Sequence, residues 1–166
     1  MSRINSFPPV VTPHSRILIL GSMPGVVSLA AQEYYAHPRN HFWPLMAELL
    51  GFDRSLPYGE RIGRLETAGV ALWDVLQSCE RKGSLDSNIE QASLATNDFN
   101  AFFDLHPAMN RVYFNGTAAE QIFRKRVLPG LRTRQLELIR LPSTSPANAG
   151  VSYAQKLAMW SSLKNK

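Results

Sequence analysis

Four short apolar runs punctuate the chain. They are Arg16-Ile-Leu-Ile-Leu-Gly21, Val70-Ala-Leu-Trp-Asp-Val75, Arg111-Val-Tyr-Phe-Asn-Gly116 and Leu136-Glu-Leu-Ile-Arg-Leu141. Runs this short, bounded by glycine or a polar turn, predict buried strands. Between them the apolar positions take a helical period. Phe42, Leu45, Met46, Leu49 and Leu50 fall at i, i+3, i+4, i+7 and i+8. Asn40 or His41 stands where a cap belongs, Pro44 lies in the first turn, and Gly51 stops the helix. Further helices are predicted over 58–68, ended by Gly69, and over 97–106. Thr117 to Glu120 and Ser152 to Gln155 each have the spacing of a capping box. The first opens a helix with Ile122 and Phe123 inward, and the second a helix carrying Leu157 and Trp160. Residues 77–97 are polar with no sustained period and are expected to form a long functional loop.

Strands that alternate with helices imply a three-layer α/β/α sandwich around a central four-stranded, mostly parallel sheet. Residues 1–15, with Pro8, Pro9 and Pro13, are expected to be an extended lead-in, and 16–166 a single domain. In such sheets ligands bind beyond the carboxyl ends of the strands. The loops that follow Leu20, Val75, Phe114 and Leu141 are therefore where chemistry is expected.

Composition narrows the class. The chain has 166 residues, 45% of them hydrophobic and only 19% charged, enough for a self-sufficient core. One cysteine, Cys79, excludes an internal disulfide and a cysteine-ligated cluster within one chain. The lack of an apolar signal core or of a long apolar run suggests a soluble, cytoplasmic protein. The net charge of +5 is concentrated. Residues 121–140 hold Arg124, Lys125, Arg126, Arg132, Arg134 and Arg140 against Glu137 alone, and the other residues balance. Such a patch suits a polyanion, and equally a solvated helix face.

Three segments carry candidate chemistry. Gly21-Ser-Met-Pro-Gly25 lets backbone approach a ligand closely, but lacks the lysine of a phosphate-binding P-loop. Tyr34-Tyr-Ala-His-Pro-Arg-Asn-His-Phe-Trp43 packs aromatics, Arg39, two histidines and Asn40 into ten residues. These could stack a base, contact phosphate and position water. Asn40 could equally be a helix cap, and Phe42 and Trp43 core residues; no third ligand joins His37 and His41, so no metal is expected. Leu141-Pro-Ser-Thr-Ser-Pro-Ala-Asn-Ala-Gly150 offers small hydroxyls on a rigid frame, or a plain surface turn.

Taken in order, with Phe114-Asn-Gly-Thr-Ala118 between them, these segments resemble the uracil-DNA glycosylase superfamily. The nearest branch is the hypoxanthine-DNA glycosylases, and the mismatch-specific uracil/thymine enzymes are similar around His37-Pro38 and Asn40 to Trp43. The resemblance runs from about Arg16 to Trp160. It implies a four-stranded parallel sheet between helices and a monofunctional hydrolase of the base–sugar bond, without a cofactor. It implies Asn40 as the catalytic, water-positioning residue, and Tyr35 as the ring that stacks on the extruded base. Gly21, Ser22, Met23 and Pro24 would line the base pocket, with Asp74 at its hydrogen-bonding edge. Ser143 matches a phosphate-binding serine, Thr144, Ser145 and Asn148 belong to the wedge that fills the vacated stack, and Arg39 would contact DNA. Two positions depart from relatives: Met23 stands where the mismatch-specific branch carries a water-positioning Asn, and Leu141 where a His or Asn stabilises the departing base.

The expected partner is double-stranded DNA with a flipped-out damaged base, met by a monomer associated with the nucleoid. Extrusion costs a few kcal/mol, which phosphate contacts can offset. The expected substrate is hypoxanthine. A uracil or mismatch-specific glycosylase and a catalytically silent nucleic-acid-binding module are the alternatives.

Overall fold

The computed structural model describes residues 2–132 and 134–164. Its centre is a sheet of β2 (Ile17–Gly21), β3 (Val70–Asp74), β6 (Arg111–Asn115) and β7 (Glu137–Leu141) in the order β3-β2-β6-β7. All three pairings are parallel, with Ile19 opposite Leu72 and Tyr113. The period of two then decides the layers. Ile19, Leu72 and Tyr113 face one side, packing on α2 (Phe42–Leu50), α3 (Tyr58–Thr67) and α6 (Tyr153–Trp160) through Phe42, Leu65 and Trp160. Leu18, Leu20 and Phe114 face the other, against α4 (Phe99–Leu105) and α5 (Thr117–Ile122) through Phe99, Phe103 and Ala119. This is the expected three-layer sandwich. The chain leaves β2 for β3 on one side and continues to β6 on the other, so a crevice opens between the carboxyl ends of β2 and β6.

The local signals of several elements hold. Gly51 at φ +75° closes α2, and Ser152 with Gln155 forms the full capping box of α6. The box expected at Thr117 to Glu120 does not form. Gly116, at φ +98°, is the cap and Thr117 is already helical. A Cβ on Gly116 would lie 3.0 Å from that of Ser143, so β6 leaves the sheet on a glycine and enters the helix one residue early. Glu120 instead pairs with Arg124 at 3.3 Å and Arg140 at 3.6 Å.

The expected long loop is a second, small sheet. β4 (Leu76–Glu80) starts one residue after β3 and pairs antiparallel with β1 (Arg3–Asn5) and with β5 (Ala95–Thr96). The lead-in is thus partly strand: Arg3 pairs with Glu80, Val10 bridges to Leu72, and Phe7 is buried. A short α1 (Val26–Ala31), with no counterpart in the sequence pattern, follows the first loop.

Candidate active site

The carboxyl ends of the parallel strands surround a cavity of about 150 Å³. That volume is below the range of drug-sized ligand pockets and matches voids that hold a single aromatic ring. Every expected base-pocket residue lines it: Gly21, Ser22, Met23, Pro24, Tyr35 and Asp74. Asn40, Ser143, Thr144 and Ser145 stand on the wall as well, while Asn148 supports from outside by donating its amide to the Ser143 carbonyl at 3.0 Å. Arg39 lies on the exposed surface beside the wall.

The floor is Asp74, the last residue of β3. It is 4% exposed, and its Oδ2 is buried with no hydrogen-bond partner. Burial, then the charge of Asp86, push its pKa up to about 7, and the Arg81 guanidinium offsets part of that rise. A carboxyl poised there can be acceptor or donor near neutrality. Gly21 is required above it, since a Cβ at that position would stand 2.6 Å from Asp74 Oδ1 and 3.2 Å from the Tyr35 hydroxyl.

Tyr35 takes φ +56°, a left-handed backbone costly for a bulky residue. The strain turns its ring onto Phe42, stacked at 4.0 Å between centroids. Its hydroxyl is buried and makes no hydrogen bond. Burial and the Asp74 charge hold the phenol well above its ordinary range, only partly countered by the nearby Asn115 amide. The segment is anchored behind by Trp43, whose indole donates to the Tyr34 carbonyl at 2.9 Å, and by Tyr34, which donates to the Pro8 carbonyl at 2.8 Å. Phe42 and Trp43 are therefore core residues.

Asn40 has two jobs open to it. Its Oδ1 accepts from the Phe42 N–H at 2.9 Å, which fixes the amide plane at the head of α2. A carbonyl oxygen has a second lone pair, and this residue borders the cavity. The formal cap is His41, whose Nδ1 meets the buried Lys156 amine at 3.2 Å. Burial and that amine lower the His41 pKa. His41 is thus turned to Lys156, and among the described residues no three of His, Cys, Asp or Glu gather as a metal site.

Sequence reasoning missed the strap that closes the cavity. After β4, Arg81 is buried and donates to the carbonyls of Pro24 at 2.6 Å and Gly83 at 2.7 Å. Ser84 Oγ accepts from the Val26 N–H at 2.9 Å, and the Ser22 hydroxyl donates to Asp86 Oδ1 at 2.5 Å. Asn115 was also missed. Its amide exchanges two hydrogen bonds with Thr144, donating to Oγ1 at 3.0 Å and accepting from N at 2.9 Å, so it pins the last loop to the end of β6. Its signs were its place at a strand end and within the Phe114–Ala118 segment of the resemblance, neither of which gave it a role.

The fold and the chain around this cavity have counterparts among known proteins. A family model described as "Uracil DNA glycosylase superfamily" matches residues 8–164. The chain belongs to that superfamily. Among curated relatives, the hypoxanthine DNA glycosylase of Methanosarcina barkeri is 37% identical over 143 residues, 86% of each chain. That of Methanosarcina acetivorans is 35% identical over the same share. A solution NMR structure from Methanosarcina acetivorans, provisionally designated a uracil DNA glycosylase, superposes with a TM-score of 0.79. It has 30% identity and covers 99% of this chain and 100% of its own. Within the superfamily frame, Met23 lines the cavity as an apolar wall, whereas Leu141 is packed into the core behind it.

The expected electrostatic patch is largely spent on internal pairs. Asp104 holds both Arg132 and Arg134, and Glu120 holds Arg124 and Arg140. Both acids lie outside residues 121–140, so a local charge sum could not show them.

Proposed function

We propose that this protein is a monofunctional DNA glycosylase that removes hypoxanthine from deoxyinosine in double-stranded DNA. The observation that carries the reading is the buried, unpaired Asp74 carboxyl at the floor of a single-base cavity whose wall includes Asn40. The damaged base is extruded and enters between Tyr35 and the Gly21–Gly25 loop, where stacking on an aromatic ring is worth about 1–3 kcal/mol. Ionised Asp74 accepts from the N1–H of hypoxanthine, while backbone amides near Met23 hold O6. Asn40 orients a water at C1′ of the sugar.

As in other glycoside hydrolyses, the C1′–N9 bond breaks through an oxocarbenium-like sugar. The base leaves with the bonding electrons and takes up a proton at N7 or N9. Water adds to C1′ and loses one proton, leaving free hypoxanthine and an abasic site. Because the bond is largely broken before attack, an amide oxygen suffices to position the water. Ser143, Thr144 and Ser145 meet phosphate oxygens, and the loop to Asn148 fills the vacated stack. The reaction needs water alone and is performed by a monomer on nucleoid DNA. Among the described residues no helix is long and apolar enough to cross a membrane.

Uracil offers the same N–H beside a carbonyl, and the NMR neighbour's designation makes it the second reading. Duplex oligonucleotides bearing inosine, uracil or xanthine, treated with the protein and then with alkali, separate the two. Strand cleavage at inosine, fastest of the three, is expected. Cleavage at uracil alone transfers the assignment to the second reading, and no cleavage with bound DNA leaves a silent binding module.

A further inference from the structure

A second cavity, of about 350 Å³, backs onto the first. Tyr35, His37 and Asn40 line both, so a single stretch of chain is the partition between them. The far wall comes from the α2–α3 connection and α3: Arg54, Ser55 and Arg61, with Trp43 and Pro44 as an apolar floor. Arg61 is set in place. Its Nε donates to the Leu56 carbonyl at 2.9 Å, and its guanidinium lies 4.7 Å from the Trp43 ring centre and 5.6 Å from that of Tyr58. Its two terminal nitrogens make no hydrogen bond among the described residues. Arg54 is exposed, and its guanidinium enters no hydrogen bond or ion pair among the described residues. The same is true of Arg39 beside the partition. Two acids lie close: Asp53 is occupied by the Ser55 N–H and hydroxyl, at 2.9 and 2.7 Å, which leaves Glu33.

We propose that this second cavity is a backbone subsite that takes a phosphodiester of the damaged strand flanking the extruded nucleotide, held by Arg54 and Arg61. The contrast with residues 121–140 supports it. There four arginines are ion-paired to acids; here Glu33 lines the cavity without an ion pair among the described residues, and a planar guanidinium, pre-oriented on an indole, and an exposed one converge on a cavity that shares its partition with the base pocket. Arginine's fork matches a phosphate's two non-bridging oxygens. The apolar floor lowers the local dielectric, so the contact is stronger than on an open surface. The two cavities share Tyr35, His37 and Asn40, so the backbone that flanks a base held in the first has this partition alone to cross to reach the second. The inference rests on reading the first cavity as the base pocket.

The test is fluorescence anisotropy with an undamaged duplex and an inosine duplex over a salt series, which needs no chemistry on the base. Arg54→Gln, an exposed change that leaves the core untouched, should lower the slope of log affinity against log salt by about 1. Arg61→Gln should do the same, Arg54→Lys should keep the slope, and Arg132→Gln should leave it unchanged. Slopes unaltered in both glutamine variants overturn the subsite. Inorganic phosphate is the comparison ligand: saturable calorimetric binding at millimolar concentration, lost in Arg54→Gln while the duplex slope stays put, would assign the cavity to a free anion and overturn the proposal. Arg54-dependent binding without excision of inosine would preserve the subsite and overturn the base assignment; excision with an unchanged slope would do the reverse.

Discussion

Replacing Asp74 by Asn should make the protein more stable and less active, with a pH dependence that can be worked in advance. In the unfolded chain the carboxyl ionises near the ordinary 3.8, and in the fold near 7. Between those values the folded state holds a proton that the unfolded state has lost. Stability therefore falls as pH rises through that window, and below it nothing is lost. At 1.36 kcal/mol per pH unit, the interval from 3.8 to about 7 sets a ceiling of about 4 kcal/mol. The Asn side chain has the same shape and does not titrate. The stability difference between Asp74→Asn and the parent should be near zero at pH 4, grow to pH 7, and stay level above it. For a chain of this length about 1 kcal/mol moves Tm by roughly 2–4 °C, so a gain of several degrees is expected at pH 8. Single-turnover excision should fall by roughly 10–100-fold, since a hydrogen bond to a charged acceptor is worth about 1.5–3 kcal/mol. Urea or thermal melts of both proteins from pH 4 to 8.5 make the measurement. Equal stability at every pH would show that Asp74 is ionised and solvated in the fold, and would remove the basis for its place at the pocket floor.

Three further outcomes follow from the same cavity. Asn40→Ala should lose about 1 kcal/mol of stability with its cap and lower single-turnover excision by orders of magnitude while duplex affinity holds; an unchanged rate would reduce Asn40 to a cap. Tyr35→Phe removes a buried hydroxyl without a partner, so melting should show no loss and excision should stay within about threefold, given that the ring face supplies the stacking; a larger fall in rate would place the hydroxyl on the base. Gly21→Ala puts a methyl 2.6 Å from Asp74 Oδ1 and should cost about 1–3 kcal/mol by overpacking and close the pocket to inosine; normal excision by this variant would exclude the Gly21–Asp74 contact as its wall.

What the sequence showed and what it hid follow the range of the interactions involved. The parallel strands, α2 and the α6 cap rest on periods and spacings of a few residues, so Ile19, Phe42 and Ser152 announce themselves. Asp74 and Gly21 were legible as strand ends, although their mutual contact was not. The small sheet was hidden because β4 is completed by Arg3–Asn5, more than seventy residues away, and β5 is only two residues long. Arg81 looked like one more surface charge in a polar stretch. Only folding puts Pro24 against it. The same holds for Asp104, which neutralises arginines 28 and 30 positions downstream.

The pairing of β1 with β4 makes the amino terminus a remote brace of the pocket. Arg3 reaches the Ser78 hydroxyl at 3.0 Å and the Ser93 carbonyl at 2.6 Å, and so ties β4 to the turn that leads into β5. β4 in turn leads into Arg81, and Arg81 grips the Pro24 loop that lines the cavity. Trimming the first six residues would leave the central sheet whole and the cavity-lining side chains in the chain, yet would slacken the roof at the opposite end of this relay. Such a truncated protein would still melt as a folded domain and would hold its base poorly, a lesion of fit without a lesion of fold.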